Sequence, residues 1–330
     1  MTWESRLLSS EGGTLNASVE ALIAQQIATW PMLRDATAAL QQAEYKEFLV
    51  GGSKVLAQFN PARIISTAAK VDAATISKRP CFLCADNLPQ EEKGIAFGDR
   101  YVAFNDKFVA LCNPFPVLAN HLVISAREHT PQAIEGNFGA MLDLARELGD
   151  AWFVLYNGPR CGASAPDHFH FQACARAGVP LFDDFDYALV RDHDEVDFVI
   201  SQNYRFNLMT FAGKDQQELI KWFARAIAEL ASVANSGDEP MMNLILSYQQ
   251  DHWRGFILPR GKHRPACYFA EDDAKLTISP AAIDLAGIVV VPQPDHFARV
   301  NAEDLERIFA EVGLKDDQMN DWQQRIQELE

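Results

Sequence analysis

The sequence predicts an α+β protein whose two related halves follow a helical N-terminal extension. Short apolar runs typical of strands alternate with long amphipathic stretches typical of helices, and this order occurs twice along the chain. Helical spacing of apolar residues dominates the region 18–58. The chain has 330 residues. Because single cores stop growing at about 250–300 residues, two packed halves are expected.

Composition and charge exclude several classes of protein. Hydrophobic residues make up 48% and charged residues 22% of the chain, as in an ordinary globular protein. The formal net charge of −16 argues against a nucleic-acid partner, since such binding needs Lys and Arg to neutralise phosphates. No signal-peptide pattern and no apolar run of ~18–20 residues is present, so the sequence predicts a cytoplasmic protein with no membrane partner. A small phosphorylated ligand needs only a local pocket of donors and remains compatible with this charge.

The N-terminal extension is predicted to be helical because its apolar residues recur at three- and four-residue spacing. Leu22, Ile23, Ile27 and Trp30 carry this pattern. After it, each half is predicted to contain strands before and after one amphipathic helix, at 131–152 in the first half and at 215–234 in the second. The predicted boundaries are 1–70 for the extension, 71–190 for the first half and 191–330 for the second.

A resemblance between two segments supports internal repetition. His121–His129 and Trp253–His263 each consist of an apolar strand, a short basic stretch and a histidine. Only the first half contains the HFHFQ pattern, so the chemistry is predicted to lie there. Several basic residues are interpreted as solvated surface charges, namely Lys70, Arg254, Arg260 and Lys262.

The most informative segment is DHFHFQ, which begins at Asp167. Because strand side chains alternate between faces, His168, His170 and Gln172 are predicted to share one face, with the phenylalanines on the other. An imidazole whose second ring nitrogen is held by an acceptor can attack phosphorus. The alternative is a pair of histidines that are hydrogen-bonded in a polar seam without any catalytic role.

The loop before this strand, NGPRCGASAP, is predicted to bind phosphate. Its glycines and small side chains let backbone N–H groups approach an anion closely. The amides from Gly162 to Ser164 are expected to hold developing negative charge, with assistance from Arg160. The candidate residues of this loop are Asn157, Arg160, Gly162, Ala163 and Ser164.

A CxxC pair precedes these motifs. Cys81 and Cys84 are separated by two residues, a gap that lets both thiolates bind one tetrahedral ion. A lone CxxC is equally compatible with two buried thiols or with a redox couple. His129 and His168 offer the two missing imidazoles, and the resulting closed site would be a structural zinc site. Zinc on His168 would also hold the strand two residues before His170.

These residues resemble the histidine-triad superfamily, within it the branch of galactose-1-phosphate uridylyltransferase, diadenosine tetraphosphate phosphorylase and GDP-hexose phosphorylase. The resemblance rests on CFLC, on AFNDKFVALCNPFPVLANHLVISAREH and on NGPRCGASAPDHFHFQ, which follow in this order over residues 81–174. It implies a histidine-triad-like antiparallel sheet whose two halves pack as an intramolecular pseudo-dimer. It also implies zinc on Cys81, Cys84, His129 and His168.

The resemblance also implies roles for the site residues. The second histidine of the motif, His170, corresponds to the nucleophile, and Gln172 stands where the transferases have Gln and the hydrolases have His. Asn105 and Asn113 correspond to strand residues near the ribose. Two positions depart from the uridylyltransferase pattern: Ser164 lies four residues before His168 instead of three, and Asp167 replaces a proline.

The predicted function is nucleotidyl transfer or phosphorolysis of a nucleoside diphosphate sugar or dinucleoside polyphosphate through a nucleotidyl-histidine intermediate. His170, Gln172 and Ser164 are the predicted catalytic residues, and Asn60 and Arg63 are predicted to hold a second phosphate or a sugar. The expected partners are the nucleotide and inorganic phosphate or a sugar phosphate. Two alternatives are a nucleotide hydrolase, in which water captures the intermediate, and a zinc-stabilised, non-catalytic nucleotide-binding regulator.

Overall fold

The computed structural model describes residues 13–67, 73–87, 101–185, 196–201 and 204–328. Lys70 lies outside these ranges. The helices are α1 (Leu15–Thr29), α2 (Pro31–Gln41), α3 (Ile64–Thr67), α4 (Ala73–Ile76), α5 (Phe138–Leu148), α6 (Pro180–Asp184), α7 (Gln216–Val233), α8 (Ala266–Phe269), α9 (Ala282–Leu285), α10 (Pro294–Arg299), α11 (Ala302–Val312) and α12 (Asp316–Gln327). The strands are β1 (Glu44–Val50), β2 (Ser53–Phe59), β3 (Val102–Phe104), β4 (Phe108–Cys112), β5 (Leu122–Ala126), β6 (Trp152–Asn157), β7 (His170–Ala175), β8 (Asp197–Ser201), β9 (Leu208–Gly213), β10 (Met242–Gln249), β11 (His252–Pro259) and β12 (Ile288–Val291). The predicted α+β class is confirmed. None of the helices in the described ranges has the length and apolarity that a membrane crossing requires.

The N-terminal extension is helical only as far as α2. The prediction of helix was wrong for 44–58, where β1 and β2 form an antiparallel hairpin with Val50 opposite Ser53. Gly51 and Gly52 make its two-residue turn with φ of +56° and +76°. Two successive residues with positive φ match the twist of a hairpin. The Gly-Gly pair between two apolar runs was therefore the signal for a hairpin.

The main sheet joins the two halves edge to edge. Within the described ranges it has nine strands, in the order β3-β4-β5-β7-β6-β10-β11-β9-β8. The first half has the order β4-β5-β7-β6 and the second half the order β8-β9-β11-β10. The strands of both halves therefore follow the same order, and the halves meet at the antiparallel pair β6 and β10. Internal repetition is confirmed. The alignment of His121–His129 with Trp253–His263 was wrong, because β11 takes the place of β7, not of β5.

Each face of the main sheet carries its own core. On one face, α5 and α7 pack together, and the rings of Phe138 and Phe223 stack with centroids 3.8 Å apart. Phe169 and Phe171 belong to this core. On the other face, Phe256 and Leu258 of β11 pack against residues of α9, β12 and α11. The elements α9, β12 and α11 form a C-terminal layer, which lies across the cavity described below from the first half of the main sheet.

A smaller sheet connects the N-terminal hairpin to the C-terminal half. Its order is β1-β2-β12, and β12 runs parallel to β2. Lys46 on β1 donates hydrogen bonds to the carbonyl groups of Phe297 and Ala298, at 2.6 and 2.7 Å. The hairpin is thus held by residues that lie more than 200 positions later in the sequence, which no local pattern predicts.

Candidate active site

A cavity of about 340 Å³ lies between the first half of the main sheet and the C-terminal layer. The alternation predicted for the histidine strand is observed, since His170 and Gln172 line this cavity while Phe169 and Phe171 lie in the core on the opposite face. The cavity brings together eight of the predicted site residues, namely Arg63, Asn113, Asn157, Gly162, Ala163, Ser164, His170 and Gln172.

The ring of His170 is oriented by its own strand. Its Nδ1 atom lies 2.9 Å from the carbonyl oxygen of His168, and because a carbonyl only accepts, Nδ1 must carry the proton. The lone pair is therefore on Nε2, and this ring lines the cavity. Burial lowers the pKa of His170 to about 4, although the bond to the His168 carbonyl opposes this shift. The side chain is 3% exposed.

Gln132 holds the backbone of His170 and was not predicted. Its Oε1 accepts the His170 N–H at 2.8 Å, and its Nε2 donates to the carbonyl groups of His170 and Asn157, both at 3.0 Å. The side chain is buried. One carboxamide thus ties the histidine strand to the start of the glycine-containing loop. In the sequence it looks like any polar residue before a helix, so no local signal identified it.

The glycine-containing loop lines the cavity with Gly162, Ala163 and Ser164. Within the described parts of the chain, no acceptor contacts the amides of Gly162, Ala163 and Ser164. Gly162 has a φ of +97°, and a Cβ atom there would come within 2.6 Å of the Ala281 side chain. Only glycine permits this conformation and this close approach. The loop is therefore shaped by the C-terminal segment that it touches.

Three of the predicted site residues lie outside the cavity lining. Asn105 has a φ of +47° and caps the turn between β3 and β4, where its Oδ1 accepts the Lys107 N–H at 2.8 Å. Asn60 is buried, and its Nδ2 donates to the carbonyl of Pro116 at 3.2 Å. The exposed Arg160 donates to the Glu239 carbonyl at 3.2 Å. The geometry gives each of these side chains a partner within the protein.

The cavity also contains charged and polar residues that were not predicted. Arg264 donates from Nε to the Ser279 hydroxyl at 2.9 Å and from Nη2 to the Thr67 carbonyl at 3.0 Å. Asp284 accepts N–H bonds from Ala281 and Val290, both at 2.9 Å, yet burial raises its pKa to about 6. Burial lowers the pKa of His263 to about 4, with Arg264 and Arg260 adding to the effect.

Arg63 reaches the same cavity from the N-terminal region. Its Nη1 donates to the Phe115 carbonyl at 2.9 Å, while Nε is buried without a hydrogen-bond partner among the described residues. Burial lowers the pKa of Arg63, and Asp284 opposes this shift. A guanidinium has the fixed fork of donors that suits phosphate. Arg63 and Arg264 therefore place positive charge in the cavity of a strongly acidic protein.

Two arginines that were interpreted as surface charges are buried. Arg254 is 1% and Arg260 2% exposed. Nη1 of Arg260 donates to Asn243 Oδ1 at 2.8 Å and to the Pro280 carbonyl at 3.0 Å, and Nη2 donates to the carbonyls of Lys262 and His263. These bonds satisfy the charge and hold the cavity wall formed by the C-terminal layer. Lys262 is exposed and pairs with a carboxylate, as expected.

Asn157 joins the two halves beside the cavity. Its Oδ1 accepts bonds from Asn243 Nδ2 at 2.7 Å and from the Ala282 N–H at 3.0 Å. Asn157 and Asn243 are paired across the central strands β6 and β10. The hydrogen bonds from Arg260 to Asn243 and from Asn243 to Asn157 thus connect the C-terminal layer to the loop beside His170.

The four predicted metal ligands form one cluster. The ligand atoms of Cys81, Cys84, His129 and His168 all lie within 4.8 Å of one another. Nδ1 of His168 is 3.3 Å from Cys81 Sγ, and Nδ1 of His129 is 3.3 Å from Cys84 Sγ. A tetrahedral zinc ion places such atoms about 3.5–3.8 Å apart. The cluster therefore has the size and the donor set for one metal ion.

A second contact prepares His168 to act as a ligand. Its Nε2 lies 2.8 Å from the carbonyl oxygen of Ala126 and must donate to it, so the lone pair is on Nδ1, towards the cysteines. A metal-bound histidine commonly has such an outer partner. Arg79 pairs with Asp167 at 2.6 Å and lies over the Phe82 ring. This ion pair connects the CxxC segment to the start of the histidine strand.

Comparisons with known proteins agree with this architecture. Residues 187–330 match the family described as "GDPGP1-like, C-terminal domain", and residues 22–175 match a domain of unknown function, DUF4922. No curated protein matches the sequence. The complex of yeast Ap4A phosphorylase Apa2 with AMP is 15% identical and has a TM-score of 0.56, covering 88% of this chain and 96% of that chain. The complex of the same enzyme with Ap4A is 15% identical with a TM-score of 0.53, over 86% and 96% of the two chains.

These matches agree with the predicted resemblance. The chain has the fold of Ap4A phosphorylase, and residues 187–330 match the GDPGP1-like C-terminal domain. An ADP-glucose phosphorylase from Arabidopsis thaliana with bound ADP-glucose is 17% identical with a TM-score of 0.32, covering 82% of this chain and 100% of that chain. The Ap4A phosphorylase fold is the one expected from the predicted nucleotidyltransferase or phosphorylase class.

Proposed function

We propose that the protein transfers a nucleoside monophosphate from a nucleoside diphosphate sugar or a dinucleoside polyphosphate to a phosphate acceptor. Nε2 of His170 attacks the α-phosphorus and forms a P–N bond, while the bond from this phosphorus to the bridging oxygen breaks. The sugar phosphate or nucleotide leaves with that oxygen. An oxygen of inorganic phosphate or of a sugar phosphate then attacks the same phosphorus, the P–N bond breaks, and His170 is regenerated.

The orientation of the His170 ring carries this proposal. The bond from Nδ1 to the His168 carbonyl leaves only Nε2 as nucleophile in the cavity. An activated nucleophile of this kind splits one difficult transfer into two easier steps. Gln132 fixes the backbone on which this ring is mounted. A histidine with only a structural role would have hydrogen-bond partners for both ring nitrogens. Among the described residues, Nε2 of His170 has no such partner.

The surroundings of His170 suit the phosphoryl group. The amides of Gly162, Ala163 and Ser164 can donate to non-bridging oxygens as negative charge develops, an effect typically worth a factor of about 10²–10³ per donor. Arg63 and Arg264 supply positive charge elsewhere in the cavity and suit the remaining phosphate of donor or acceptor. Ser164 adds a hydroxyl to the same loop. Asn113 and Asn157 complete the proposed nucleotide site.

Phosphorolysis or exchange is favoured over hydrolysis by Gln172. A carboxamide can donate a hydrogen bond to the phosphoryl group, but it does not act as a general base that activates water at neutral pH. The basic residues of the cavity, by contrast, suit an anionic acceptor. Turnover is therefore expected to depend on added phosphate or sugar phosphate.

The Cys81, Cys84, His129 and His168 cluster is proposed to hold a structural zinc ion. Two thiolates and two imidazoles are ligands that zinc prefers, and four protein ligands leave no open position for water. When bound, the ion would hold the start of the histidine strand. The nucleophile lies two residues after His168, so the metal would preserve the position of His170 without taking part in the transfer.

Intact-protein mass spectrometry tests the proposed function. The wild type is incubated briefly with nucleoside diphosphate sugars and dinucleoside polyphosphates, beside His170→Ala. The control is His252→Ala, which removes a histidine of β11 outside the cavity. Wild type and control should gain the mass of one nucleoside monophosphate, and His170→Ala should not.

The chase step distinguishes the candidate functions. Adding phosphate or a sugar phosphate should remove the adduct and release a nucleoside diphosphate or a new nucleotide sugar. Loss of the adduct in buffer alone, with release of nucleoside monophosphate, would identify the hydrolase. Tight nucleotide binding with no adduct from any donor would contradict the transfer mechanism and favour the regulator.

A further inference from the structure

The buried His121 contacts two carboxamides that line the cavity. Its side chain is 4% exposed, and it precedes β5. Nε2 of His121 lies 2.6 Å from Gln172 Oε1 and 3.2 Å from Asn113 Nδ2. We infer that His121 is a positioning residue that turns the N–H groups of Gln172 towards the phosphoryl group. This inference rests on the proposed function and adds the group that orients its donors.

The tautomer of His121 follows from one unambiguous donor. The backbone N–H of Val117 lies 3.2 Å from Nδ1 of His121. A backbone N–H can only donate, so Nδ1 must accept and carry no proton. The proton of the neutral ring is therefore on Nε2.

The tautomer determines which way the Gln172 carboxamide points. The N–H at Nε2 of His121 donates to its neighbour at 2.6 Å, and that neighbour must be the acceptor oxygen of Gln172. The NH₂ group of Gln172 then has no role in this contact. Because Gln172 lines the cavity on the same face as His170, its donors are available to a phosphoryl oxygen. The opposite orientation would place two donors against each other.

Asn113, by contrast, is oriented by the backbone. Its Oδ1 accepts the Phe115 N–H at 3.0 Å, which places its NH₂ group on the side of His121. Nε2 of His121 already carries a proton, so the 3.2 Å approach of Asn113 Nδ2 is not a hydrogen bond. The imidazole of His121 therefore orients the donors of Gln172, not those of Asn113.

The surroundings keep this imidazole neutral. Burial lowers the pKa of His121 to about 3, Arg63 lowers it further, and the bond to Gln172 opposes the shift. A neutral ring has one donor and one acceptor, so the bonds to Val117 and Gln172 use both. A protonated ring would lose the acceptor that Val117 requires. The contacts with Val117 and Gln172 and the positive charge of Arg63 all favour the same state.

Conservative substitutions separate positioning from folding. In general side-chain geometry, Gln places its NH₂ near the position of Nε2 of His, and Asn reaches only the position of Nδ1. His121→Gln should therefore keep the donor to Gln172, and His121→Asn should lose it while accepting from Val117. The rate of adduct formation at saturating donor nucleotide should fall about 10²-fold in His121→Asn. It should fall less than about 10-fold in His121→Gln, with the KM of both variants close to wild type.

A double-mutant cycle supplies the readout that a purely structural role would not change. On a Gln172→Ala background, His121→Asn should have little further effect on the rate, because the group that it orients is absent. Independent effects of the two substitutions on the rate would overturn the inference. So would a His121→Asn variant that loses thermal stability but forms adduct at the wild-type rate.

Nitrogen NMR of ¹⁵N-histidine-labelled protein tests the inference without turnover. The His121 signals, assigned by their loss in His121→Gln, should show protonated Nε2 and unprotonated Nδ1. A proton on Nδ1 would overturn the inference even if the enzyme is active. If the wild type forms no adduct with any donor, the proposed transfer fails. The NMR result then decides the orientation of the carboxamides by itself.

Discussion

The two halves of the main sheet have the same strand order but different residues on the face that meets the C-terminal layer. In the first half, β7 places His170 and Gln172 on this face, and they line the cavity. In the second half, β11 occupies the corresponding position and places Phe256 and Leu258 in a closed core. The repeated fold therefore supplies two equivalent places for a site, and among the described residues side chains fill the one in the second half and leave the one in the first half open.

The comparison also shows what the second half contributes. The face of β11 that corresponds to the site is filled by core residues. The second half nevertheless provides Arg260 and Asn243, whose hydrogen bonds reach Asn157 and the wall of the cavity. Gly162 touches Ala281 in the same region. The second half therefore has no counterpart of the histidine motif, yet it shapes and holds the site of the first. The predictions below test this division of roles.

The largest effect is expected from truncating the side chain that each half places on the face towards the C-terminal layer, His170 in the first half and Phe256 in the second. His170→Ala should lower turnover on the order of 10⁴–10⁶-fold, as for other covalent nucleophiles, with little change in the urea midpoint. Phe256→Ala should cost about 3–5 kcal/mol of stability because it opens a cavity in a packed core. Its turnover per folded molecule should remain near wild type. Turnover and urea unfolding of both variants check this, and a large loss of specific activity in folded Phe256→Ala would contradict the division.

The next effect concerns the proposed metal site, which has no counterpart among the described residues of the second half. Its ligands are Cys81, Cys84, His129 and His168. Structural zinc sites bind with roughly 10–16 kcal/mol in peptides, so Cys84→Ser should release the metal and lower the free energy of unfolding by several kcal/mol. Cys112→Ser is the matched control, because Cys112 is a buried thiol outside the cluster. Metal content by elemental analysis and urea unfolding measure both effects. Equal metal content in the two variants would refute the assignment.

A smaller, pH-dependent effect is expected from Asp284 in the C-terminal layer. Burial raises its pKa from 3.8 to about 6, so the protonated form favours the folded state. Its contribution to stability is fully present below pH 4 and is lost as the pH rises to about 6, a change of roughly 3 kcal/mol. Asp284→Asn cannot ionise and should lack this loss.

The difference between wild type and Asp284→Asn isolates this carboxyl group. His263, whose pKa is lowered to about 4, titrates in both proteins and cancels in the difference. Urea midpoints between pH 3.5 and pH 7 supply the measurement. If the urea midpoints of the two proteins depend on pH in the same way, the pKa of Asp284 is not raised by folding, and the charge of Arg63 compensates its ionised form.

The smallest effect is expected at Gln132, which holds the site from within the first half. Gln132→Ala removes three hydrogen bonds and should cost about 1–3 kcal/mol of stability. Because the His170 backbone loses its partner, adduct formation should slow by about 10-fold. Asn137→Ala, in the same loop region but bonded only to its own loop, is the control. An unchanged adduct rate in Gln132→Ala would leave that residue a purely structural role.

Much of the fold and part of the site could be predicted from local sequence patterns. Phe169 and Phe171, which alternate with His168, His170 and Gln172, indicated which face of the histidine strand meets the core. By contrast, the helical spacing of apolar residues predicted a helix for the region 44–58, whereas the Gly51-Gly52 turn makes it a hairpin. The error shows that a turn residue can outweigh an ambiguous hydrophobic pattern.

The unpredicted residues share a property: each acts through a partner far along the chain. Gln132 bonds the backbone of His170, His121 contacts Gln172, and Arg260 holds Asn243 and Pro280. Arg260 was expected at the surface, since an arginine is rarely buried unless its charge is satisfied. The five hydrogen-bond acceptors that satisfy it belong to four segments, and a linear sequence does not show that these meet; they are on Asn243, Lys262, His263, Pro280 and Val312.

By itself, the sequence determined the repeated α+β order and the alternation that separates His170 from the core. These features depend on residue spacing of two to four positions, which the backbone geometry of strands and helices converts directly into faces. Only the tertiary structure decided that β11 lies where β7 does in the other half, and that the C-terminal layer closes the cavity. The orientation of His121 was decided there too, because packing distant segments together is what brings a donor to each acceptor.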